Sequence, residues 1–433
     1  MNGMRGQNRR DFLKTCGAAA LLPVTASCLT GATAGESAKG RPNIVLIMAD
    51  DFGDECVGAY GSLDYETPNL DELAETGLRF THCYSQPLCT PSRVQIMTGR
   101  YNHRNYIGFG ALDRGEKTFA HMLKDAGYRT CVVGKWQLGR QPDSPRHFGF
   151  DEARLWHWFQ RGQRYWQPVI YQDGERMEGL EDRYGPDVLC EYGLEFMEKN
   201  TRNPFFLYYP MVLTHSPFCP TPDSEAPKSE KETGREYFKD MVEYTDKIVG
   251  RIVSKLEKLG IRDNTILLFT GDNGTGGGHH RTAHGVEPGG KGKMTDAGTR
   301  VPLIVNWPGG GAPAAVCDDL VDFSDFLPTF ADAAGTVPPQ GRVIDGRSFL
   351  PQIRGEKGNP RDWVFCHYWG YGRRKQETRQ WIRNRRYKLY DNGEFYDLKK
   401  DGAENSPIKE PHGEALRAMQ RLRRAMEKLT ETG

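Results

Sequence analysis

The feature that most constrains the fold of this 433-residue chain is a series of short apolar runs separated by helical patterns. The first run has no polar residue between Asn43 and Asp50. That pattern is typical of a strand buried on both faces of a parallel sheet. Further runs follow at 130–133, 205–211, 265–270 and 303–306. Helical periodicity is found at 68–76, 118–125, 236–259 and 320–334. Alternating strands and helices predict an α/β fold with a large mixed, mostly parallel sheet and helices on both faces.

The pattern changes after about residue 355. Segments 363–369, 380–390 and 394–398 are predicted as short antiparallel strands, and Asp391-Asn392-Gly393 is a strong hairpin-turn signal. An amphipathic helix rich in Arg and Lys is predicted at 414–430. We therefore expect a large α/β domain over residues 35–355 and a small C-terminal α+β subdomain with an antiparallel sheet over residues 356–433.

Composition narrows the class of protein. Charged residues form 27% and hydrophobic residues 37% of the chain, which excludes collagen, coiled coils, polytopic membrane proteins and bulk disorder. The formal net charge of +1 gives no global basic field, so we expect no nucleic-acid partner. No stretch after residue 34 approaches eighteen consecutive apolar residues, so no membrane span is predicted there.

Residues 1–34 have the pattern of an export signal. A pair of arginines at positions 9 and 10 is followed by Phe-Leu-Lys, a short apolar stretch and an Ala-x-Ala site at 32–34. The arginine pair favours a twin-arginine signal over an ordinary secretory one. We therefore expect twin-arginine machinery to export the protein, as a bacterial periplasmic or extracellular protein.

The ten cysteines do not by themselves define a disulfide framework or a metal set. A lipoprotein box is not predicted at Cys28, because Thr25 rather than a leucine stands three residues before it. Because the twin-arginine route carries folded proteins, few disulfides are expected, and their pairing cannot be read from sequence.

Acidic residues follow two of the apolar runs. Asp50 and Asp51 end the first run, and Asp272 and Asn273 end a later one. The carboxyl ends of parallel strands meet at one edge, where α/β sheets place their ligands. Either pair alone is explained by turn chemistry or helix capping. Together, three carboxylates and an amide oxygen favour Ca²⁺, or alternatively Mg²⁺, over Zn²⁺.

A second cluster of informative residues surrounds Cys89. Pro91 favours the first turn of a helix, whose N-terminus attracts anions, and Arg93 adds a cation one turn on. The sequence Cys-x-Pro-Ser-Arg, followed by Thr-Gly-Arg at 98–100, resembles the signature of the formylglycine-dependent type I sulfatases of the alkaline phosphatase superfamily.

This resemblance extends from residue 42 to about residue 398 and implies an arylsulfatase-like fold and a sulfuric ester hydrolase. It implies that a formylglycine-generating or sulfatase-maturating enzyme oxidises Cys89 to 3-oxoalanine (formylglycine), whose hydrate is the nucleophile. The divalent cation is then expected at Asp50, Asp51, Cys89, Asp272 and Asn273.

Further family motifs imply which residues handle the sulfate group. Gly-Lys-Trp at 134–136 matches a second signature and makes Lys135 a sulfate-binding cation. His215 matches the family's histidine on the substrate side, and Lys291 matches its second sulfate-contacting lysine. The resemblance implies that Arg93, Lys135 and Lys291 neutralise the sulfate ester. It also implies that His215, alone or together with Lys291, protonates the departing alcohol.

One position departs from the family pattern. The Gly-Lys-Trp motif usually continues with His-Leu-Gly, whereas this chain has Gln137. The family's histidine is thought to accept a proton when sulfate is expelled, and glutamine cannot do so at neutral pH. We expect Gln137 to orient the nucleophile while turnover is slower or uses another base. The loop with His279 and His280 offers candidate bases, or it is a surface or substrate-recognition loop.

The export signal and the resemblance together favour a sulfated polysaccharide or glycosaminoglycan-derived saccharide as substrate. The segment 156–166, with Trp158, is a candidate to stack on sugar rings and to hold further sulfates. Its alternative is a packed insertion. His103 and Arg104 are similar candidates for saccharide binding.

Two other functions are compatible with these motifs. Phosphonate monoester and phosphodiester hydrolases of the same superfamily bind a tetrahedral phosphoryl group with similar cations. A non-catalytic binder of sulfated glycan is the other, because Gln137 replaces the family histidine. The otherwise complete set of nucleophile, metal ligands and cations favours catalysis.

Overall fold

The computed structural model describes residues 40–156, 158–369 and 378–431, so the predicted export signal and His157 lie outside the described residues. The strands of this part are β1 (Asn43–Ala49), β2 (Leu78–Tyr84), β3 (Arg129–Lys135), β4 (Glu152–Trp156), β5 (Ile170–Gln172), β6 (Glu175–Arg176), β7 (Phe205–Pro210), β8 (Thr265–Gly271), β9 (His279–Thr282), β10 (Gly285–Pro288), β11 (Arg300–Asn306), β12 (Ala315–Cys317), β13 (Val321–Asp322), β14 (Val364–Trp369), β15 (Thr378–Arg383), β16 (Tyr387–Tyr390) and β17 (Phe395–Asp397). Its α-helices are α1 (Pro68–Thr76), α2 (Cys89–Thr98), α3 (Phe119–Asp125), α4 (Ser144–His147), α5 (Gly185–Lys199), α6 (Tyr237–Lys258), α7 (Asp296–Thr299), α8 (Phe326–Ala334), α9 (Leu350–Ile353) and α10 (Gly413–Glu431).

An eleven-stranded sheet forms the centre of the molecule. Its order is β12-β2-β11-β8-β1-β7-β3-β4-β5-β6, with β13 beside β2. The five central strands β8, β1, β7, β3 and β4 are parallel, and β11 is antiparallel to both of its neighbours. The predicted mixed, mostly parallel sheet is confirmed.

Strand β1 explains why its segment is continuously apolar. Ile44, Leu46 and Met48 face one core cluster, and the alternate residues from Val45 to Ala49 face the other. Helices α2, α3 and α8 cover the first face, and α1, α5 and α6 cover the second. A strand buried on both faces has no solvent side for polar residues, and each large apolar side chain contributes about 1.5–3 kcal/mol of burial free energy.

Two predicted elements were wrong in their extent. The helix predicted at 320–334 begins only at Phe326, because the Asp322 carboxylate accepts a hydrogen bond from the backbone of Ser324 and 321–322 pair with β2. The strand predicted at 380–390 is the hairpin β15–β16. Asn384 Oδ1 accepts hydrogen bonds from the backbone N–H groups of Arg386 and Tyr387, at 2.8 and 2.7 Å, which closes the turn.

The C-terminal segment forms the antiparallel sheet β14-β15-β16-β17, with α10 packed on one face, so the predicted antiparallel subdomain is confirmed. The turn at 391–393 joins β16 to β17, and Gly393 adopts φ +90°, which favours glycine. From Gly40 onward the chain is one compact unit. The boundary at residues 355 and 356 stays a prediction.

The described cysteines are all free thiols. None of the described helices combines the length and apolar character that a membrane crossing needs.

Candidate active site

The carboxyl ends of four neighbouring parallel strands place the predicted site residues at one edge of the sheet. Asp50 follows β1 and Asp272 follows β8. Lys135 ends β3, and His215 comes five residues after β7. The apolar runs that predicted these strands therefore also deliver their polar ends to a common region.

Two glycines allow the backbone segments at this edge of the sheet to lie close together. Gly134 adopts φ +125°, and a Cβ there would lie 2.0 Å from the carbonyl oxygen of Pro210. A Cβ on Gly271 would lie 1.9 Å from the carbonyl oxygen of Phe52. Neither position has room for a side chain, and these glycines directly precede Lys135 and Asp272.

Helix α2 begins at Cys89, as the sequence predicts, and brings the thiol to the same edge. Its first turn is fixed by Ser92, whose Oγ donates to the carbonyl of Leu88 and accepts from the N–H of Gln86, at 2.9 and 3.0 Å. Cys89 is 2% exposed. Its Sγ, one oxygen of Asp50 and one of Asp272 all lie within 4.8 Å of one another.

The predicted metal ligands are brought together. Asp272 Oδ1 accepts a hydrogen bond of 3.0 Å from the N–H of Asp51, and Asn273 Nδ2 donates to Asp51 Oδ1 at 2.9 Å. Asn273 Oδ1 is buried and has no hydrogen-bond partner among the described residues. Asp51 adopts φ +60°, which is uncommon for a residue with a side chain and occurs at functional sites.

The charges of this cluster favour a bound cation. Burial raises the pKa of the Asp272 carboxyl, and the neighbouring Asp50 carboxylate raises it further. Burial also acts to raise the pKa of Asp50, but the surrounding cations, foremost Lys135, outweigh it and hold this pKa well below its ordinary value. Crowded carboxylates with an unpaired amide oxygen are a hard oxygen-donor set, so these residues fit a divalent cation such as Ca²⁺.

Two lysines contact the same carboxylates. Lys135 Nζ lies 2.9 and 2.7 Å from the two oxygens of Asp50, and Lys291 Nζ lies 2.6 Å from Asp51 Oδ2. Burial opposes the charge of Lys291, but the Asp51 and Asp50 carboxylates outweigh burial and raise its pKa. Lys291 therefore keeps its proton at neutral pH. Both predicted sulfate-binding lysines line the same cavity as Cys89.

Arg93 contacts the predicted metal ligands from the protein interior. Its side chain is fully buried. Nη1 donates to the carbonyl oxygen of Lys135 at 2.7 Å, and Nη2 donates to Asp272 Oδ2 at 3.0 Å. Both terminal nitrogens of the guanidinium group hold protein atoms, and the role of Arg93 in neutralising the sulfate ester stays a prediction. Arg93 positions Asp272 and the end of β3.

His215 faces the cleft as a neutral imidazole. Its Nδ1 lies 2.7 Å from the carbonyl oxygen of Ser216, which fixes Nδ1 as the donor, and its Nε2 lies 3.8 Å from Asp51 Oδ2. Burial lowers the pKa of His215 to about 4, although the carboxylates of Asp50 and Asp51 act in the opposite direction. This ring is a hydrogen-bond acceptor at neutral pH.

A cleft of about 780 Å³ opens above these groups. Its walls include Cys89, Lys135, Gln137, His215 and Lys291. Gln137 adopts φ +56°, and its Oε1 is buried without a hydrogen-bond partner in the described part of the chain. The amide is therefore available to a group bound in the cleft.

Three other predicted saccharide-binding residues, His103, Arg104 and Trp158, have side chains that contact other parts of the protein. His103 packs against Phe365 of the C-terminal sheet, and Arg104 is paired with Asp345 at 3.0 Å. Neither lines the cleft. Trp158 lies in the cleft wall but is 2% exposed, donates through Nε1 to the carbonyl oxygen of Gln141 and stacks on Phe159, so the packed alternative describes it.

The histidine loop forms the hairpin β9–β10. His280 is buried, with Nδ1 2.7 Å from the hydroxyl of Tyr65 and Nε2 3.2 Å from the carbonyl oxygen of Gly277. Its ring nitrogens are therefore occupied away from the cleft. His279 is exposed and lines an adjacent cavity of about 540 Å³ that shares Asp51 and Lys291 with the site.

Sequence reasoning did not assign Arg164, although it noted the segment around it. Arg164 is 3% exposed, lines the cleft and lies 3.8 Å from Asp50 Oδ2. No family motif marks this position. The arginine-rich and tryptophan-rich composition of the segment was the available signal, and it did not tell which side chain points into the cleft.

Comparison with known proteins agrees with this geometry. The family model described as Sulfatase matches residues 42–336, and the model described as N-sulphoglucosamine sulphohydrolase, C-terminal, matches residues 290–432. Human N-acetylgalactosamine-6-sulfatase is 32% identical over 72% of this chain, and the matched part spans 66% of that protein. The N-acetylglucosamine-6-O-sulfatase of Bacteroides thetaiotaomicron is 27% identical over 92% of this chain and 88% of its own length.

Two solved structures share the fold. One, in complex with its substrate D-glucosamine-2-N,6-O-disulfate, is 24% identical, with a TM-score of 0.75 over 90% of this chain and 98% of that one. The phosphonate monoester hydrolase of Agrobacterium radiobacter is 21% identical, with a TM-score of 0.66 over 90% of this chain and 95% of that one. The fold and site define a sulfuric ester hydrolase. The chain belongs to the sulfatase family.

Proposed function

We propose that the protein hydrolyses sulfate esters of a glycosaminoglycan-like saccharide, with a formylglycine made from Cys89 as the nucleophile and a divalent cation, Ca²⁺ or Mg²⁺, beside it. The observation that carries this proposal is the meeting of Cys89 with the carboxylates of Asp50 and Asp272 within 4.8 Å, at the start of a helix and in a cleft that two lysines also line.

The cation has a defined place in this proposal. The oxygen atoms of Asp50, Asp51, Asp272 and Asn273 would hold it. When bound, it supplies Lewis-acid stabilisation of negative charge at the reacting oxygens. The formylglycine supplies a hydroxyl nucleophile in place of the Cys89 thiol. Arg93 supports this set from behind, because it fixes one oxygen of Asp272.

The lysines and the histidine act on the substrate. Lys135 and Lys291 hold the sulfate oxygens and offset the negative charge that grows on them. Lys291, which keeps its proton at neutral pH, donates a proton to the departing alcohol oxygen. His215 is neutral and presents Nε2 to the cleft as an acceptor, so it can bind a hydroxyl of the saccharide, and this arrangement does not support the expectation that it protonates the departing alcohol. Gln137 offers its unpartnered Oε1 to a hydroxyl of the nucleophile.

The substrate class follows from relatives and from the cleft. The relatives described above are named for 6-sulfated amino sugars. The cleft of about 780 Å³ is in the size range of pockets that enclose small ligands. We therefore propose a sulfated amino sugar, free or at the end of a short oligosaccharide, as substrate.

The test has two parts. The protein is produced with a sulfatase-maturating enzyme, and intact-mass analysis looks for the loss of about 18 Da expected for conversion of Cys89 to formylglycine. Hydrolysis of N-acetylglucosamine 6-sulfate and N-acetylgalactosamine 6-sulfate is then measured by sulfate release. Cys89→Ala is expected to stay folded and to release no sulfate. Full activity of this variant contradicts the proposal.

A second candidate activity is phosphonate monoester or phosphodiester hydrolysis. The shared fold with the Agrobacterium radiobacter enzyme favours including it in the assay. Rates on 4-nitrophenyl sulfate and on bis(4-nitrophenyl) phosphate, measured side by side, separate the two. A non-catalytic sulfated-glycan binder would convert neither, and would bind sulfated saccharide equally well with and without maturation of Cys89.

We also propose that the protein is exported by the twin-arginine machinery to the periplasm or the extracellular space, without a lipid anchor. The arginine pair at positions 9 and 10 supports this proposal. Cell fractionation of the wild type and of the double variant Arg9→Lys, Arg10→Lys tests it. Retention of the variant inside the cell is expected, and unchanged export would contradict the route.

A further inference from the structure

Arg164 lies on the segment between β4 and β5 and reaches the cleft that contains Cys89. Its guanidinium carbon lies 4.0 Å from the ring centroid of Trp156, so the group packs over the indole. The side chain is 3% exposed. Arg164 is thus a buried, oriented cation in the wall of the proposed site.

The protein satisfies little of this guanidinium group. Its nearest carboxylate, Asp50 Oδ2, is 3.8 Å away, which is beyond hydrogen-bond distance, and the same oxygen is bonded by Lys135 at 2.7 Å. Nη1 of Arg164 is buried with no hydrogen-bond partner among the described residues. The hydrogen bond of Arg164 to Glu230 comes from its backbone N–H, at 3.3 Å, and not from the guanidinium group. Because buried polar groups are normally paired, the unpaired Nη1 points to a missing acceptor.

The surroundings of Arg164 identify that acceptor as an anion. Arg161 lies three residues earlier on the same segment and lines the same cleft. Arg140 also lines it and precedes Gln141, whose carbonyl oxygen accepts a hydrogen bond from Trp158 of the Arg164 segment. Three arginines therefore line this cleft. Lys135 and Lys291 enter from other elements and already contact the metal-ligand carboxylates.

We propose that Arg164 binds a second anionic group of the substrate, a carboxylate or a second sulfate on the saccharide that carries the sulfate to be removed. This inference rests on the proposed sulfatase function and deepens it. A planar guanidinium fork matches the two oxygens of a carboxylate or sulfate, whereas an ammonium group contacts them as a point charge. Arg164 selects substrates with two negative groups over those with one.

The experiment compares three substrates that share a 6-sulfated glucosamine. One is N-acetylated and has no other charge, one is N-sulfated, and one is N-acetylated and linked to a uronic acid. The variants are Arg164→Gln and Arg164→Lys. The control is Arg183→Gln, which removes an exposed arginine paired with Glu191. For each protein, the kcat/KM on each doubly charged substrate is divided by that on the N-acetylated monosulfate.

We expect this ratio to exceed one in the wild type and to fall by about 30-fold in Arg164→Gln, mainly through KM, because a hydrogen-bonded charge pair is lost. A fall for the N-sulfated substrate identifies a second sulfate, and a fall for the uronic acid substrate identifies a carboxylate. Arg164→Lys keeps the positive charge and a long side chain, so it serves as the test variant if Arg164→Gln fails to fold. Its kcat/KM ratio should also fall, because an ammonium group lacks the planar fork. Arg183→Gln should match the wild type.

Two results overturn the inference while leaving the proposed function intact. The first is an equal loss on all three substrates, which would make Arg164 a contact of the cleaved sulfate or a support for Asp50. The second is an unchanged ratio in both variants. A wild type that releases no sulfate from any substrate overturns the proposed function and this inference with it. Binding of the same saccharides to Cys89→Ala, by calorimetry, gives the second readout, and there Arg164→Gln should weaken only the doubly charged ligands.

Discussion

Arg383, the last residue of β15, binds both carboxylate oxygens of Asp296, at 2.6 and 2.5 Å. The guanidinium side chain is 2% exposed and the carboxylate 19%. Lys388 of β16 donates to the carbonyl oxygen of Met294, at 2.7 Å. The C-terminal sheet thereby holds residues 294–296, and Lys291 lies three residues before this anchored segment.

Removal of one partner of this buried pair should be costly. For Arg383→Met we expect the free energy of unfolding to fall by about 1.5–3 kcal/mol, because Asp296 loses its charged hydrogen-bond donor and keeps only the more distant Lys388 ammonium, 4.0 Å away. We also expect kcat/KM to fall, because Lys291 loses its anchor. The control is Arg385→Met, whose exposed pair with Asp319 should be worth about 0–1 kcal/mol. Urea denaturation measures the free energy of unfolding of the two variants, and steady-state kinetics measures their kcat/KM. Equal losses of unfolding free energy in the two variants would contradict the role of the Arg383–Asp296 pair.

Gln137 should tolerate histidine. For Gln137→His we expect kcat to be kept or raised, up to the roughly 10²-fold that a well-placed proton acceptor contributes. Gln137→Leu, which removes the unpartnered amide, should lower kcat. Steady-state kinetics on one sulfated saccharide measures both. A large loss in Gln137→His would show that the amide itself has a role that imidazole cannot fill.

The assignment of Lys291 as proton donor predicts a dependence on the leaving group. Lys291→Ala should lose more activity on a sugar sulfate than on 4-nitrophenyl sulfate, because 4-nitrophenolate departs without protonation and an alkoxide does not. The excess loss should be about 10²-fold. Lys135→Ala should lose activity on both substrates alike. If both lysine variants show the same pattern, Lys291 is not the donor, and His215→Ala is the variant to compare next.

Removal of divalent cations should destabilise the protein. A cation bound to the folded state at 100 times its Kd stabilises it by about 2.7 kcal/mol, so chelation should lower Tm and added Ca²⁺ or Mg²⁺ should restore it. Asp272→Asn should lose this response. Asp223→Asn, at an exposed surface pair with Lys247, should keep it. Coincident melting curves with and without cation would contradict the proposed metal site.

Glu55 gives a pH-dependent prediction. Burial raises the pKa of Glu55 above its ordinary value of 4.5, and the adjacent Asp54 carboxylate adds to this effect. The folded state therefore keeps a proton that the unfolded chain releases, so the free energy of unfolding falls as pH rises above about 4.5 and stops falling past the raised pKa. Glu55→Gln has no carboxyl group to titrate at this position. The free energy of unfolding of the variant minus that of the wild type should therefore rise with pH.

The measurement is urea denaturation of Glu55→Gln, wild type and the exposed control Glu225→Gln at several pH values from 5 to 9. Profiles of Glu55→Gln and wild type that run parallel across this range would contradict the prediction. The control should follow the wild type, because Glu225 is exposed.

Sequence predicted the strands that carry Asp50 and Asp272 because a strand buried on both faces must be apolar throughout, and that constraint is visible in one dimension. It did not predict β2, whose seven residues mix apolar Leu78 and Phe80 with half-buried polar positions. It also did not predict whether Arg93 and Arg164 face the cleft or the protein. The direction of a long side chain depends on which distant elements pack around it, and no local pattern records that.

The position of β11 has a consequence for when the site forms. Among the described strands, β11 is the one that joins β2 to β8, and it comes later in the chain than either. The helix that starts with Cys89 follows β2, whereas the Asp272 carboxylate follows β8. A growing chain that has not yet reached residues 300–306 has no strand to seat Cys89 beside these carboxylates. During synthesis, the Cys89 thiol should therefore be accessible to reagents and modifying enzymes until β11 joins the sheet. After that it should be inaccessible to them.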